Sequence, residues 1–183
     1  MNNGQLIVIS GPSGVGKGTV IKALCDHSLD FKLAVSACTR MPRPNEVNGK
    51  DYFFMDSNTF TQKVNQGAFL EYCKVHENYY GTLKSETIDL TRTGKDVLLE
   101  IDVQGTQKLR DQNVDILDVF LAPPSLSELE TRLTKRGTET DDVIKQRMSK
   151  VSFELAQMSH YKYVVLNTSI KEAVDDILTI IKE

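Results

Sequence analysis

Continuous apolar runs alternate with helical stripes along most of the chain. Leu6-Ile7-Val8-Ile9 is an unbroken apolar, largely β-branched run, the pattern of a strand buried on both faces. A glycine-rich turn from Gly11 to Gly18 follows at once, and Val20, Ile21 and Leu24 then recur at helical spacing. Strand, glycine turn and helix therefore open the protein. Val97 to Asp102 predicts a second buried strand, with a helix after it through about Arg110. Ile116 to Leu121 predicts a third, stopped by Pro123-Pro124. Ser125 with Glu128 three positions on is a capping-box signature for a helix to about Lys135. Helices are expected over roughly Asp141 to Met158 and over Ile170 to Ile181, with a short strand at Tyr163 to Leu166 between them. Strands and helices alternating in this way build a parallel sheet with helices on both faces.

Residues from about 37 to 83 break this rhythm with a mixed run: Tyr52-Phe53-Phe54, a helix near Phe60 and Val64, then Ala68 to Val75. They read as a small α+β insertion on a core of about 1–36 and 84–183. The polar stretch 136–142, RGTETDD, lies between two helices and reads as a lid. At roughly 150 residues per domain, 183 residues make one domain carrying an insertion.

Composition narrows the function. Apolar residues at 40% and charged residues at 26% exclude disordered and collagen-like classes. The 22 Lys+Arg against 25 Asp+Glu leave a net charge of -3, which argues against a general nucleic-acid or membrane binder. An anionic ligand must then be met by arginines and lysines placed locally. Cys25, Cys38 and Cys73 are odd in number and widely spaced, so they form neither a disulfide framework nor a zinc pair. His27, His76 and His160 show no metal-ligand spacing, and no protein-built metal site is expected. No secretory pattern opens the chain and no run approaches 18 apolar residues, so a reducing cytoplasm is the expected location.

The sharpest chemical signal is Gly11-Pro12-Ser13-Gly14-Val15-Gly16-Lys17-Gly18-Thr19. Glycines let successive N–H groups turn toward one point and form an anion-binding nest. The helix that follows adds its positive end, and Lys17 adds a full charge for terminal phosphates. The usual ending G-K-[ST] is altered: Gly18 holds the hydroxyl position and Thr19 comes one step later. The adenylate kinases resemble this chain in G-K-G-T, so phosphate binding stands while direct ligation of Mg²⁺ by the protein is in doubt.

Three further groups carry charge. Arg40 and Arg43, three apart on a proline-stiffened loop, can present planar forks to one phosphate, with Tyr52 adding a hydroxyl. A solvated basic loop is the plainer reading of the same residues. Glu100 and Asp102 end the second predicted strand two residues apart, on one face at a carboxyl end where ligands of open α/β sheets gather. They could hold substrate, or magnesium through water. Arg132 and Arg136, four apart, share a helix face, and Arg147 lies beyond the polar stretch. Taken alone, these arginines and Glu71 read as solvated surface charges.

The run S-x-x-T-R-x-P-R from Ser36, N-G-x-D-Y-x-F from Asn48, and Tyr79-Tyr80-Gly81-Thr82 resembles the GMP-binding region of guanylate kinases. Glu100-Ile101-Asp102-Val103-Gln104-Gly105 and Arg136-Gly137-Thr138-Glu139-Thr140 resemble that family's I-D-x-Q-G segment and lid, in the family's order from Gly11 to Asn167. The resemblance implies a P-loop three-layer α/β fold with a central parallel sheet. It also implies transfer of the γ-phosphoryl group of Mg-ATP to GMP. Arg40, Arg43, Tyr52 and Tyr80 would hold the GMP phosphate. Glu71 would read guanine through its N1–H and exocyclic amine, with Ser36, Thr82, Glu100 and Asp102 around the nucleoside. ATP would be held by Gly11 to Thr19, Arg132, Arg136 and, beside the adenine, Asn167. Lys17, Arg40, Arg136 and Arg147 would bear on the transferring group. Magnesium would be carried mainly by ATP phosphates and water. The expected partners are ATP and GMP, with no nucleic acid or membrane and with homo-oligomerisation left open. Two rivals remain: a scaffold of the same fold that binds peptides, disfavoured by the intact lysine, glutamate and arginine set, and a P-loop kinase for AMP or a phosphorylated sugar.

Overall fold

The computed structural model describes residues 3–27, 31–75, 77–135 and 141–182, with only the course of the backbone at 75, 132–135 and 141–147. Nine strands and seven α-helices are found among them. In order they are β1 (Leu6–Ser10), α1 (Lys17–His27), β2 (Phe31–Leu33), β3 (Ser36–Cys38), β4 (Phe53–Phe54), α2 (Ser57–Asn65), β5 (Phe69–Val75) and β6 (Asn78–Leu83). There follow α3 (Ile88–Thr91), β7 (Asp96–Glu100), α4 (Val103–Asp111), β8 (Leu117–Ala122), α5 (Leu126–Lys135), α6 (Asp141–Ala156), β9 (Tyr163–Leu166) and α7 (Ile170–Ile181). Five strands form a sheet in the order β2-β7-β1-β8-β9, and the β2–β7 and β8–β9 pairs are parallel. The fold is α/β with a central parallel sheet. The other four strands form a second sheet in the order β4-β3-β6-β5.

By compactness the chain divides into two units. The first holds residues 1–7, 30–99 and 107–116, the second residues 8–29, 100–106 and 117–183. Within the first, α2 starts at Asp56, whose carboxylate accepts the N–H of Thr59 at 2.8 Å. This helix delivers Phe60, which stacks on Phe69 at 4.4 Å and on Tyr79 at 5.5 Å between ring centroids. Ala37 and Leu83 complete that core. One face of the second sheet is thereby covered. The opposite face shows Ser36, Glu71, Tyr80 and Thr82, because side chains alternate along each strand.

Register brings these residues into rows. Ser36 pairs with Thr82 across β3–β6, and Thr82 pairs with Glu71 across β6–β5. Ser36, Thr82 and Glu71 therefore stand in one line over three strands, with Tyr80 in the next line. The β5–β6 ladder shifts register between Phe69 and Glu71, a bulge that turns Glu71 away from the face Phe69 fills.

Every residue of β1 and nearly all of β8 are buried, as their apolar runs require. Gly11 ends β1 with φ of 145°, and a Cβ there would lie 2.3 Å from the Leu121 carbonyl oxygen. Only glycine allows the loop to leave the strand so close to β8. Phe120, Val103, Ala122 and Tyr161 pack together below α4 and β8. Ser125 caps α5 through the N–H of Glu128 at 3.1 Å, and Ser169 caps α7 through that of Glu172 at 3.2 Å. Among the described residues, no helix is long and apolar enough to cross a membrane.

The strand predicted over Val97 to Asp102 is corrected: β7 ends at Glu100. Asp102 lies beyond it, where its carboxylate accepts the Gly105 N–H at 2.8 Å and caps α4. Glu100 and Asp102 thus do not share a strand face, because helix capping claims the second carboxylate. The helix expected to Met158 turns into a 3₁₀ segment after Ala156.

Candidate functional site

Two clusters gather the candidate residues, one in each unit. In the second unit the loop from Gly11 to Gly18 joins β1 to α1, with positive φ at Gly11, Gly14 and Gly16. α1 begins at Lys17. Lys17 Nζ donates to the Gly11 carbonyl at 2.8 Å and to that of Pro12 at 3.3 Å, so the ammonium lies back across its own loop. Asn167 is buried after β9, and its Nδ2 donates to the Val15 carbonyl at 2.7 Å. Gly18 and Thr19 are exposed on the first turn of α1. A Cβ at position 18 would lie 3.5 Å from Glu100 Oε2, so the exposed carboxylate of Glu100 stands beside the point where a hydroxyl-bearing side chain is missing.

Sequence reading missed Glu154. This residue of α6 accepts the N–H of Ser13 at 3.1 Å through Oε2, across 141 positions of chain. Burial pushes its carboxyl above the ordinary range. The Ser13 N–H, Lys17 and Lys150 oppose that push, and Asp102 adds to it. No local pattern could have signalled such a contact.

The first unit holds the second cluster. Glu71 is only 5% exposed although β5 is an edge strand, and its Oε1 accepts the buried Thr82 hydroxyl at 2.7 Å. That bond fixes the plane of the carboxylate within the row that begins at Ser36. Next to it, Tyr80 and Tyr52 meet edge to face at 6.2 Å. The Arg40 guanidinium lies 4.9 Å over the Tyr52 ring and 5.4 Å over Phe54.

Glu46 is the other residue that sequence reading missed. Arg40 Nη1 and Nη2 donate to its two oxygens at 2.6 and 2.7 Å, and the Arg43 N–H adds a third bond at 2.7 Å. The Arg40 fork draws the Glu46 carboxyl from 4.5 down to about 2, against a smaller upward push from burial. The same bond raises Arg40 further above its ordinary value. An Arg and a Glu six apart in a loop carry no signal of their own until the loop closes on itself. The Arg43 side chain is exposed. Arg136 lies outside the described residues, and Arg132 and Arg147 are placed only as positions on α5 and α6.

The family model described as guanylate kinase matches residues 3–183. The chain belongs to the guanylate kinase family. It is 46% identical over 178 residues to the guanylate kinase of Caldanaerobacter subterraneus subsp. tengcongensis, covering 97% of this chain and 86% of that relative. It is 46% identical over 181 residues to the guanylate kinase of Lactobacillus acidophilus, covering 98% and 89%. The crystal structure of guanylate kinase from Anaplasma phagocytophilum superposes with a TM-score of 0.81 at 30% identity, covering 99% of this chain and 86% of that one. Where the general pattern G-x-x-x-x-G-K-[ST] has a hydroxyl residue, this chain has Gly18.

Proposed function

We propose that the protein transfers the γ-phosphoryl group of ATP to GMP, giving ADP and GDP. One observation supports the choice of acceptor most directly: Ser36, Thr82 and Glu71 stand in a single row, with the buried Glu71 carboxylate oriented by Thr82. A carboxylate presents two acceptor oxygens, which suit the adjacent N1–H and amino donors of guanine. Adenine has no such donor pair, and a site built to accept hydrogen bonds from a substrate rejects strongly an analogue that lacks the donors.

The donor nucleotide binds at Gly11 to Thr19. Phosphoryl transfer needs little covalent chemistry from the protein; it needs the attacking oxygen in line and positive charge around the group in transit. Lys17, Arg40, Arg136 and Arg147 supply that charge, and Arg40, Arg43, Tyr52 and Tyr80 hold the acceptor phosphate. No general base is required, since a phosphate monoester with a second pKa of about 6 is largely ionised near neutral pH. On sequence grounds residues 37–83 serve the acceptor and residues 136–142 close over the donor, excluding water. Arg132 assists at the triphosphate, and Asn167 adjoins the adenine.

Magnesium suits the residues present. A hard oxygen donor, Glu100, stands beside Gly18, where the loop offers no hydroxyl. Glu100 would hold the ion directly or through water, with Asp102 nearby in sequence. When bound, Mg²⁺ neutralises charge on the ATP phosphates. With ATP and GMP as substrates, the protein works in the cytoplasm and needs neither nucleic acid nor membrane.

The test is ADP release from Mg-ATP with GMP, AMP, UMP or CMP as acceptor, beside a control without acceptor. Turnover with GMP alone is expected. Turnover with AMP would remove Glu71 from base recognition, and no turnover with any acceptor while ATP still binds would favour a scaffold.

A further inference from the structure

Glu154 lies in no motif of the chain, yet it reaches the phosphate loop. Among the described residues, Asn167, Lys17 and Glu154 each brace that loop. Asn167 holds the Val15 carbonyl, Lys17 holds those of Gly11 and Pro12, and Glu154 acts on an N–H, that of Ser13. The distinction is chemical. A nest binds an anion only when its peptide planes turn their N–H groups the right way. A carboxyl oxygen that accepts one N–H sets the plane of that peptide.

Placement adds a second argument. Glu154 stands in the last turns of α6, and position 147 on the same helix is seven residues earlier. Positions seven apart fall on one helical face. The bond to Ser13 therefore ties to the loop the helix on which Arg147 is carried.

We propose that Glu154 is a positioning residue of the phosphate loop: by accepting the Ser13 N–H it fixes the peptide plane at the loop's third residue and docks α6 against the loop. The proposal rests on reading Gly11 to Thr19 as the ATP phosphate site. What it requires of Glu154 is an acceptor oxygen at the right reach, not a negative charge. Burial already disfavours the charged form, so the neutral isostere should fold at least as well as the native residue.

The experiment compares wild type with Glu154→Gln, Glu154→Asp and Glu154→Ala. It measures KM for ATP and for GMP separately, the affinity for a non-hydrolysable ATP analogue by calorimetry, and the Ser13 amide resonance. Glu154→Ala should raise KM for ATP and the analogue Kd about tenfold, the scale of one hydrogen bond. KM for GMP should stay within about twofold, and the Ser13 amide proton should move upfield. Glu154→Gln should recover most of the loss, whereas Glu154→Asp, charged but too short, should behave like alanine. If the alanine variant does not fold, the Gln and Asp pair carries the same contrast. Unchanged ATP parameters in Glu154→Ala, equal impairment of Gln and Ala, tighter ATP binding in any variant, or parallel losses for ATP and GMP would each overturn the proposal. Failure of the wild type to bind the analogue would instead overturn the phosphate-loop reading itself.

Discussion

Replacing Glu46 with Gln removes the charge that Arg40 and the Arg43 N–H hold while keeping its volume. A carboxyl drawn from 4.5 to about 2 by its partner corresponds to a ceiling of about 3 kcal/mol at 1.36 kcal/mol per pKa unit. The two side chains are 13% and 18% exposed, but every residue from Met41 to Asn45 is exposed, so water screens the pair. Discounted for that screening, about 1–2 kcal/mol is expected. The sign follows from the direction of the shift. Glu46 has a folded value below its unfolded one, so its stabilisation is complete above about 4.5 and is lost as pH falls toward about 2. Urea unfolding of wild type and Glu46→Gln at about pH 7, 5, 4 and 3 should show a gap of ~1–2 kcal/mol that narrows over the last two steps to roughly half or less. A gap independent of pH would refute the reasoning and assign the effect to packing. The variant should also raise KM for GMP several-fold, because Arg40 would keep its charge but lose the fork that holds it over Tyr52. A fall in KM for GMP would show instead that Glu46 competes with the acceptor phosphate.

Other expectations are more direct. Lys17→Met should lower kcat by about 10²–10³, the usual cost of losing one preorganised charge at a transferring group, with the fold intact by circular dichroism. Glu71→Gln should cut kcat/KM for GMP by at least about 10² while ATP-analogue affinity, measured by calorimetry, stays level. Asn167→Ala leaves the buried Val15 carbonyl without its amide donor; a stability loss of about 1–3 kcal/mol with a raised KM for ATP is expected from denaturation and steady-state assays.

The parts legible in the sequence were those that local chemistry decides. The glycine-rich segment is a strand, a turn and a helix start in consecutive residues, and α7 matched its predicted span because Ser169 caps it and its apolar stripe runs to Ile181. β2 and β3 are three residues each, too short for any periodicity to register. Asp102 was misread because α4 needed a cap, which an apolar run cannot reveal. The row Ser36–Thr82–Glu71 exists only through strand register, and the reach of Glu154 to Ser13 only through folding across 141 positions. Partners that meet only through register or long-range folding are thus the least legible class, since nothing near them in sequence announces them.

The bulge in β5 bears on how faithfully the hairpin folds. If the ladder continued regularly from the Phe69–Leu83 pair, Leu70 would oppose Thr82 and Glu71 would oppose Gly81, on the side that Phe60 covers. That slipped hairpin would press an ionised carboxylate into an aromatic stack, at a cost of several kcal/mol. Glu71 therefore makes the wrong pairing of β5 with β6 too costly to persist. The expected consequence is that Glu71→Leu, unlike Glu71→Gln, permits both pairings and gives a second set of amide resonances along β5 and β6. A single set in Glu71→Leu would show that the Phe60 stack alone selects the register.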